Sequence, residues 1–345
     1  MAEDRQTMRA IAIEKIGKPR VLKNVRLPLP LPAAGEALVK VHAASVNPND
    51  LLYRSGRLII RKPMPHILGG DVAGEIVQMD EDVVGWSAGD RVAAAFDQLG
   101  CERDGSYAEY CAIPAAQLIK LPNRLDYQTA VAVGAAFVQA WMALVGKGSI
   151  TRSDRVVIRA AATSMGTSAV QIASAKGAQV IAVASGEHTA RLREIGADVV
   201  LDDAGEDLVR QVKVATDEQG ATLVLHSADS SHFQQSSKML GYQGRLVMAH
   251  PSSHQDIRLD ALEVYQKNLS IFGAGDRLEA KDFEPILRCL EQDVYRAVVD
   301  EVMPLSQARQ AHEKLEKHAS FGKIVLVPDA ILKAASKPSN WIPIE

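Results

Sequence analysis

Residues 154–184 read DRVVIRAAATSMGTSAVQIASAKGAQVIAVA, and their pattern decides the fold. A short apolar run at 156–159 precedes small and apolar side chains at helical spacing over 166–176, and a second apolar run follows at 180–184. Strands that are apolar on both faces must be covered on both faces, so this strand–helix–strand order predicts two neighbours in a parallel sheet. Outward from it the alternation continues. A helix at 187–195 is stopped by Gly196, and then come a strand at 199–201, a polar helix at 207–217 and strands at 223–225, 245–249 and 269–272. The pattern predicts an α/β fold whose second half is a doubly wound, Rossmann-like parallel sheet.

The first 120 residues differ. Short β-rich runs at 9–14, 36–44, 72–79, 90–94 and 107–113 are separated by Pro and Gly, the texture of a strand-rich, partly antiparallel domain. After Gly275 a helix at 281–291 and a run at 298–303 return to that mixed texture. The expected organisation is therefore a discontinuous β-rich domain, 1–124 with 277–345, and a parallel-sheet domain at 125–276. A chain of 345 residues has length for roughly two domains, and 47% hydrophobic with 23% charged residues excludes disorder, collagen and coiled coil.

The 39 basic and 42 acidic residues give a net charge of −3 without a long run of either sign, which argues against nucleic acid as a partner. Three cysteines, Cys101, Cys111 and Cys289, have no CxxC spacing, so neither a disulfide framework nor a cysteine-rich zinc lobe is expected, and a reducing cytoplasm suits them. The polar, acidic start lacks the apolar stretch of a signal peptide. Residues 129–145 are nearly apolar, but Gln139, a glycine and many alanines make them a buried helix of a soluble protein rather than a membrane span.

A nucleotide-binding parallel sheet needs a tight turn that brings backbone N–H groups of the next helix to face a pyrophosphate. The turn here holds Thr163, Ser164, Met165, Gly166 and Thr167; Gly166 offers a close approach, and Ser164 and Thr167 offer hydroxyls to phosphate. It is not a GxGxxG, and an ordinary strand-to-helix loop is the alternative. The second strand ends in neutral Ser185, with His188 and Arg191 downstream, which favours NADPH over NADH; Glu187 and Asp203 oppose a phosphate, and His188 and Arg191 also read as solvated helix residues. Phe272 and Gly273 complete the candidate cofactor set. No HExxH and no glycine-flanked serine point to a hydrolase, and His250 and His254, in a Pro-containing loop, read as solvent-facing.

Other motifs carry a resemblance: Met8-Arg-Ala-Ile, Val41-His-Ala-Ala-Ser-Val-Asn-Pro-Asn-Asp, Tyr53-Arg-Ser-Gly, Gly69-Gly-Asp-Val-Ala-Gly, Gly89-Asp-Arg-Val, Gly105-Ser-Tyr-Ala-Glu-Tyr, Gly196-Ala-Asp, Gly244-Arg-Leu-Val and Phe321-Gly-Lys-Ile-Val-Leu. In this order they resemble the medium-chain dehydrogenase/reductases, and among them the zinc-free quinone oxidoreductases related to zeta-crystallin, over about residues 8–327. The resemblance implies a GroES-like catalytic domain built from both chain ends, with the Rossmann domain inserted and the nicotinamide in the cleft between them. Ligand positions of zinc-dependent relatives fall on Asn47, Gly70-Asp71 and an Ala or Gly within 132–135, of which only Asp71 could bind a metal. A catalytic zinc needs three protein ligands, so no metal is expected.

The chain departs from the family at several points. Thr163-Ser-Met-Gly stands where Gly-Gly-Val-Gly is usual, the tyrosine expected at position 52 is displaced to Tyr53, the lysine for the 2′-phosphate falls on His188, and His226 replaces an aspartate. For catalysis, Asn47 is expected to orient the nicotinamide side, Tyr53 to donate to the substrate oxygen and Arg54 to hold the local loop. A simple turn, a packed aromatic and a surface charge are the alternatives for these three. The function expected is zinc-independent, NADPH-dependent reduction of a quinone or α,β-unsaturated carbonyl. An enoyl-thioester reductase and a non-catalytic, crystallin-like NADPH binder are the rivals. A homodimer joined edge to edge through the strand at 269–273 is implied as well.

Overall fold

The computed structural model describes residues 6–96, 98–205, 207–227, 232–249, 256–275 and 277–332. The expectations for the extreme N-terminus and for His250 and His254 lie outside them. By its own contacts the chain divides into two units, Met1–Ala135 with Arg277–Glu345, and Ala136–Asp276.

The first unit is built from β1 (Thr7–Ile13), β2 (Lys23–Pro28), β3 (Glu36–Val46), β4 (His66–Ile67), β5 (Asp71–Met79), β6 (Arg91–Ala95), β7 (Tyr110–Pro114) and β8 (Ile119–Lys120). β1 sits between β2 and β4 in a small antiparallel sheet, and Val25 and Leu27 of the edge strand β2 are half-buried against the core. β3 is the long central strand of the larger sheet, where it pairs antiparallel with β5 and β7. Apolar side chains of β3, β5 and β6, among them Val39, Val72, Ile76 and Val92, close one core.

Helix α1 (Pro48–Ser55) follows β3, with Pro48 in its first turn and the Asp50 carboxylate accepting the Asn47 N–H at 2.8 Å. α2 (Tyr127–Trp141) is apolar and breaks at Gly134 (φ 0, ψ −130) before a π-helical turn at Met142–Lys147. The stretch Tyr127–Lys147 passes the length and hydropathy test for a span, but 67% of its most apolar window is buried in the protein. The break explains where the first unit ends. The Ala135 N–H freed there donates to Asp71 Oδ1 at 3.0 Å, and a Cβ on Gly134 would lie 2.8 Å from Asp71 Cγ. The start of α2 is thereby held to the β-rich unit, and the division falls after Ala135 rather than at the expected 124/125.

The second unit holds β9 (Arg155–Ile158), β10 (Gln179–Ala184), β11 (Val199–Asp202), β12 (Ala221–His226), β13 (Leu240–Met248) and β14 (Ser270–Gly273). All pair parallel in the order β11-β10-β9-β12-β13-β14, so every carboxyl end opens on one edge, with the switch point between β9 and β12. The connecting helices are α3 (Ser164–Ala175), α4 (Thr189–Glu194), α5 (Leu208–Ala215), α6 (Phe233–Lys238) and α7 (Ala261–Lys267). β10 is buried along nearly its whole length, as an apolar run covered on both faces must be. β11 and β14 form the two edges of the sheet among the described residues.

The chain then returns to the first unit with α8 (Ala280–Glu291), β15 (Val299–Pro304), α9 (Ala308–Glu316) and β16 (Lys323–Val327). β16 pairs antiparallel with β3 at Ala44–Val46, so residues far downstream complete the first unit's main sheet. α9 brings His312 into the core, where its Nε2 lies 3.1 Å from the Tyr107 hydroxyl. That hydroxyl donates to Asp50 Oδ2 at 3.0 Å.

Burial holds His312 neutral, its pKa lowered to about 3, whereas in the unfolded chain it titrates near the ordinary 6.5. The stability carried by the neutral ring is therefore full above about pH 6.5 and falls as the pH drops toward 3. Asp50, pushed up to about 7 by burial, acts in the opposite sense, its contribution falling as the pH rises from the usual carboxylate range through 7. The His312→Gln variant should lose the histidine's acid dependence. Thermal midpoints taken from pH 7.5 to 4.5 should show the gap between wild type and variant shifting against wild type as the pH falls; a constant gap would exclude this role.

Candidate functional site

In the first unit the polar site is assembled around the Asn47 amide. Asn47 leads into α1 at the end of β3, and its half-buried side chain reaches two charged groups from other strands. Its Oδ1 accepts from Lys323 Nζ of β16 at 2.6 Å, and its Nδ2 donates to Asp71 Oδ2 of β5 at 2.9 Å. Asp71 and Lys323 are each 1% exposed, with Nζ 3.7 Å from Asp71 Oδ2. The Ser45 hydroxyl donates to the same Asp71 oxygen, and the Ala135 N–H serves the other. Burial lowers the Lys323 pKa from that of a free lysine, and the Asp71 and Asp50 carboxylates oppose the shift. The buried pair is supported by three hydrogen bonds to the Asp71 carboxylate and by the Asn47 oxygen at Lys323 Nζ.

Tyr53 and Arg54, further along α1, lie in different surroundings. Tyr53 is half-buried and packs against the core cluster that includes Ile13, Val21 and Leu68. Arg54 is 1% exposed, and its guanidinium binds Glu316 of α9, so it anchors one helix to another and is not a surface charge. Asp50 accepts from the N–H groups of Asn47 and Gly69 and from the Tyr107 hydroxyl, fixing the loop on which Asn47 sits. Sequence reasoning missed Lys323 and Ser45 as members of the cluster; the only sign of Lys323 was its place in Phe321-Gly-Lys.

In the second unit the candidate cofactor residues lie on the carboxyl edge of the sheet. The turn after β9 is set by Ala160 in the left-handed region (φ 52), and the Ala161 N–H donates to Val183 O of β10 at 3.0 Å. Thr163 caps α3, its Oγ1 accepting the Gly166 N–H at 3.1 Å. Gly166 is needed for packing: a Cβ there would lie 2.3 Å from Ala160 O. The Thr167 hydroxyl, expected to face a phosphate, instead donates to Ser164 O at 3.0 Å, and the residue is 2% exposed. The helix geometry leaves the N–H groups of Ser164 and Met165 as the donors of the first turn.

At the tip of β10 Ser185 is exposed, and His188 Nε2 lies 3.5 Å from Glu187 Oε1. Arg191 is half-buried on α4. Phe272 and Gly273 end β14 on the same edge, beyond β12 and β13. The expected effect of Asp203 requires correction: it is bound by the fully buried Arg159 guanidinium at 2.8 Å, which offsets its charge. Gln235 Oε1 holds the other end of that guanidinium at 2.7 Å. Asp202 is the acidic group at the β10 tip instead, its Oδ2 3.3 Å from where a Cβ on Gly186 would stand.

Comparison with known proteins agrees with this architecture. Residues 33–123 match the alcohol dehydrogenase GroES-like domain, and residues 164–292 match the zinc-binding dehydrogenase family. The chain is 28% identical over 335 residues to a quinone oxidoreductase of Sus scrofa, covering 95% of this chain and all of that one. A solved NAD-dependent alcohol dehydrogenase is 32% identical with a TM-score of 0.86, covering 93% of this chain and 99% of its own. A mycobacterial protein solved in complex with NADPH is 27% identical with a TM-score of 0.82, covering 93% and 100%. Fold and matches together define an oxidoreductase of the dehydrogenase class. The chain belongs to the medium-chain dehydrogenase/reductase superfamily.

The catalytic zinc of some of that family does not fit the residues present. Asn47, Gly70 and Asp71 offer one carboxylate, and both its oxygens are engaged within the protein. Among the described residues no three His, Cys, Asp or Glu side chains converge.

The Arg159–Asp203 pair yields a test of charge at the nucleotide edge. Arg159→Met should leave Asp203 uncompensated and weaken NADPH binding more than NADH binding, on the order of tenfold for an extra charge repulsion of about 1.4 kcal/mol. Fluorescence titration with both nucleotides measures the ratio, and equal losses for the two would remove Asp203 from the binding surface.

Proposed function

We propose that this protein is a zinc-independent, NADPH-dependent reductase of quinones or α,β-unsaturated carbonyls. The observation that carries the reading is the Asn47 amide, half-exposed and held between an ammonium and a carboxylate where zinc-dependent relatives need a metal ligand. A bound reduced nicotinamide supplies a hydride. Charge then developing on the acceptor oxygen needs a positioned donor. In this reading the Asn47 N–H provides it, Tyr53 adds its hydroxyl, and water delivers the proton that completes the product.

For the cofactor, the N–H groups of Ser164 and Met165 at the start of α3 bind the pyrophosphate. The exposed, neutral Ser185-Gly186 tip, with His188 and Arg191 near it and Asp203 neutralised by Arg159, accepts a 2′-phosphate. Asp202 beside Gly186 favours a second reading, in which NADH is the cofactor and the carboxylate binds the ribose hydroxyls. The cysteines, none of them in a disulfide among the described residues, suit a reducing cytoplasm. The open β14 edge, near exposed Leu262 and Tyr265, suits a homodimer.

The metal-depleted protein should bind NADPH with enhanced nicotinamide fluorescence and oxidise it when a small quinone or enone is added in the presence of a chelator. Asn47→Ala should lower kcat/KM on the order of 10²-fold, and Tyr53→Phe should lower it less, about tenfold. No binding of either nucleotide would remove the enzyme reading, and full activity of Tyr53→Phe would remove the hydroxyl's role.

A further inference from the structure

Lys323 cannot touch a ligand, because it is 1% exposed. Its geometry is nonetheless not that of a simple counter-ion for Asp71. Nζ stands 2.6 Å from the Asn47 amide oxygen and 3.7 Å from the nearer Asp71 oxygen, so the close hydrogen bond goes to the amide. Asp71, for its part, is already served by the Ser45 hydroxyl, the Asn47 N–H and the Ala135 N–H.

An amide can rotate by half a turn and exchange its oxygen for its nitrogen. Here the exchange would set an NH2 group against an ammonium and an oxygen against a carboxylate, opposing both charges at once. The ammonium also polarises the amide through its oxygen, strengthening the N–H as a donor.

We propose that Lys323 is the positioning residue of the site: from β16 it fixes the Asn47 amide in one orientation and keeps its N–H end toward Asp71 and the acceptor. The fold thereby supplies a resident cation at a corner whose residues do not fit a metal. This rests on the reading of Asn47 as the group that meets the acceptor.

The test must separate this role from charge balance. Lys323→Met alone strands a buried carboxylate, so the informative protein is the double variant Lys323→Met with Asp71→Asn, which removes both charges. The expected result is a folded protein with unchanged nicotinamide binding and nearly unchanged KM for the quinone, but with kcat reduced on the order of 10²-fold. Wild-type kcat in that variant would overturn the proposal and reduce Lys323 to a counter-ion.

A second measurement needs neither the variant nor turnover. In the wild-type protein at neutral pH the Asn47 side-chain amide protons should exchange slowly with solvent and resonate away from the positions of a free asparagine amide in nitrogen-correlated spectra. Rapid solvent exchange with free-amide shifts would overturn the proposal. If no acceptor is reduced at all, the function proposed above fails on its own, and the amide signals still decide whether Lys323 holds Asn47.

Discussion

A lysine and an aspartate removed from water, 3.7 Å apart and bridged by an asparagine amide, are the constraint around which the first unit is arranged. Each charge carries a desolvation penalty of several kcal/mol, which the pair offsets only if the remaining hydrogen bonds are also made. The carboxylate meets this demand by drawing on Ser45 of β3 and on the Ala135 N–H at the break in α2. The helix break, the boundary of the unit and the orientation of Asn47 are thus consequences of one buried ion pair. A second buried group, Asp50 with Tyr107 and His312, braces the same loop from the other side and ties it to α9.

The second unit is organised by a different economy, that of backbone groups at the carboxyl edge of a parallel sheet. Its hydroxyl-rich turn serves itself before any ligand: Thr163 caps the helix, and Thr167 and Ser168 both bond to Ser164 O. What the turn still presents is main-chain N–H at a helix start, which suits an anion without requiring the usual glycines. The two aspartates at the end of β11 divide in the same way, with Asp203 compensated inside the protein and Asp202 left at the rim.

The parallel sheet was legible because its strands are apolar on both faces and separated by helices of recognisable length. β2 and β4 were not, since the alternation of Val25 and Leu27 in β2 is short and runs into Pro28 and Pro30, and a two-residue strand gives no period to read. Asn47 and Asp71 were visible as positions in motifs, but the role of Asp71 was seen only as a metal ligand. Lys323 is 276 residues from its amide partner, and no local pattern announces a contact set by the pairing of β16 with β3. The fates of Thr167 and Asp203 were invisible for a related reason: a side chain's availability depends on which neighbour the fold brings first.

The same long separation has a consequence for biosynthesis. Asn47 and Asp71 leave the ribosome well before Lys323, and at about 5–20 residues per second the 276 intervening positions take roughly 15–55 s to make. During that interval the whole parallel-sheet unit is synthesised, while the β-rich unit lacks β16 and the Lys323 ammonium that faces its buried Asp71 carboxylate. The later unit can therefore reach its native form on the ribosome while the earlier one waits. The unit that begins first is thus the last to be complete, and a nascent β-rich segment without its buried cation is the part that a chaperone would need to shield.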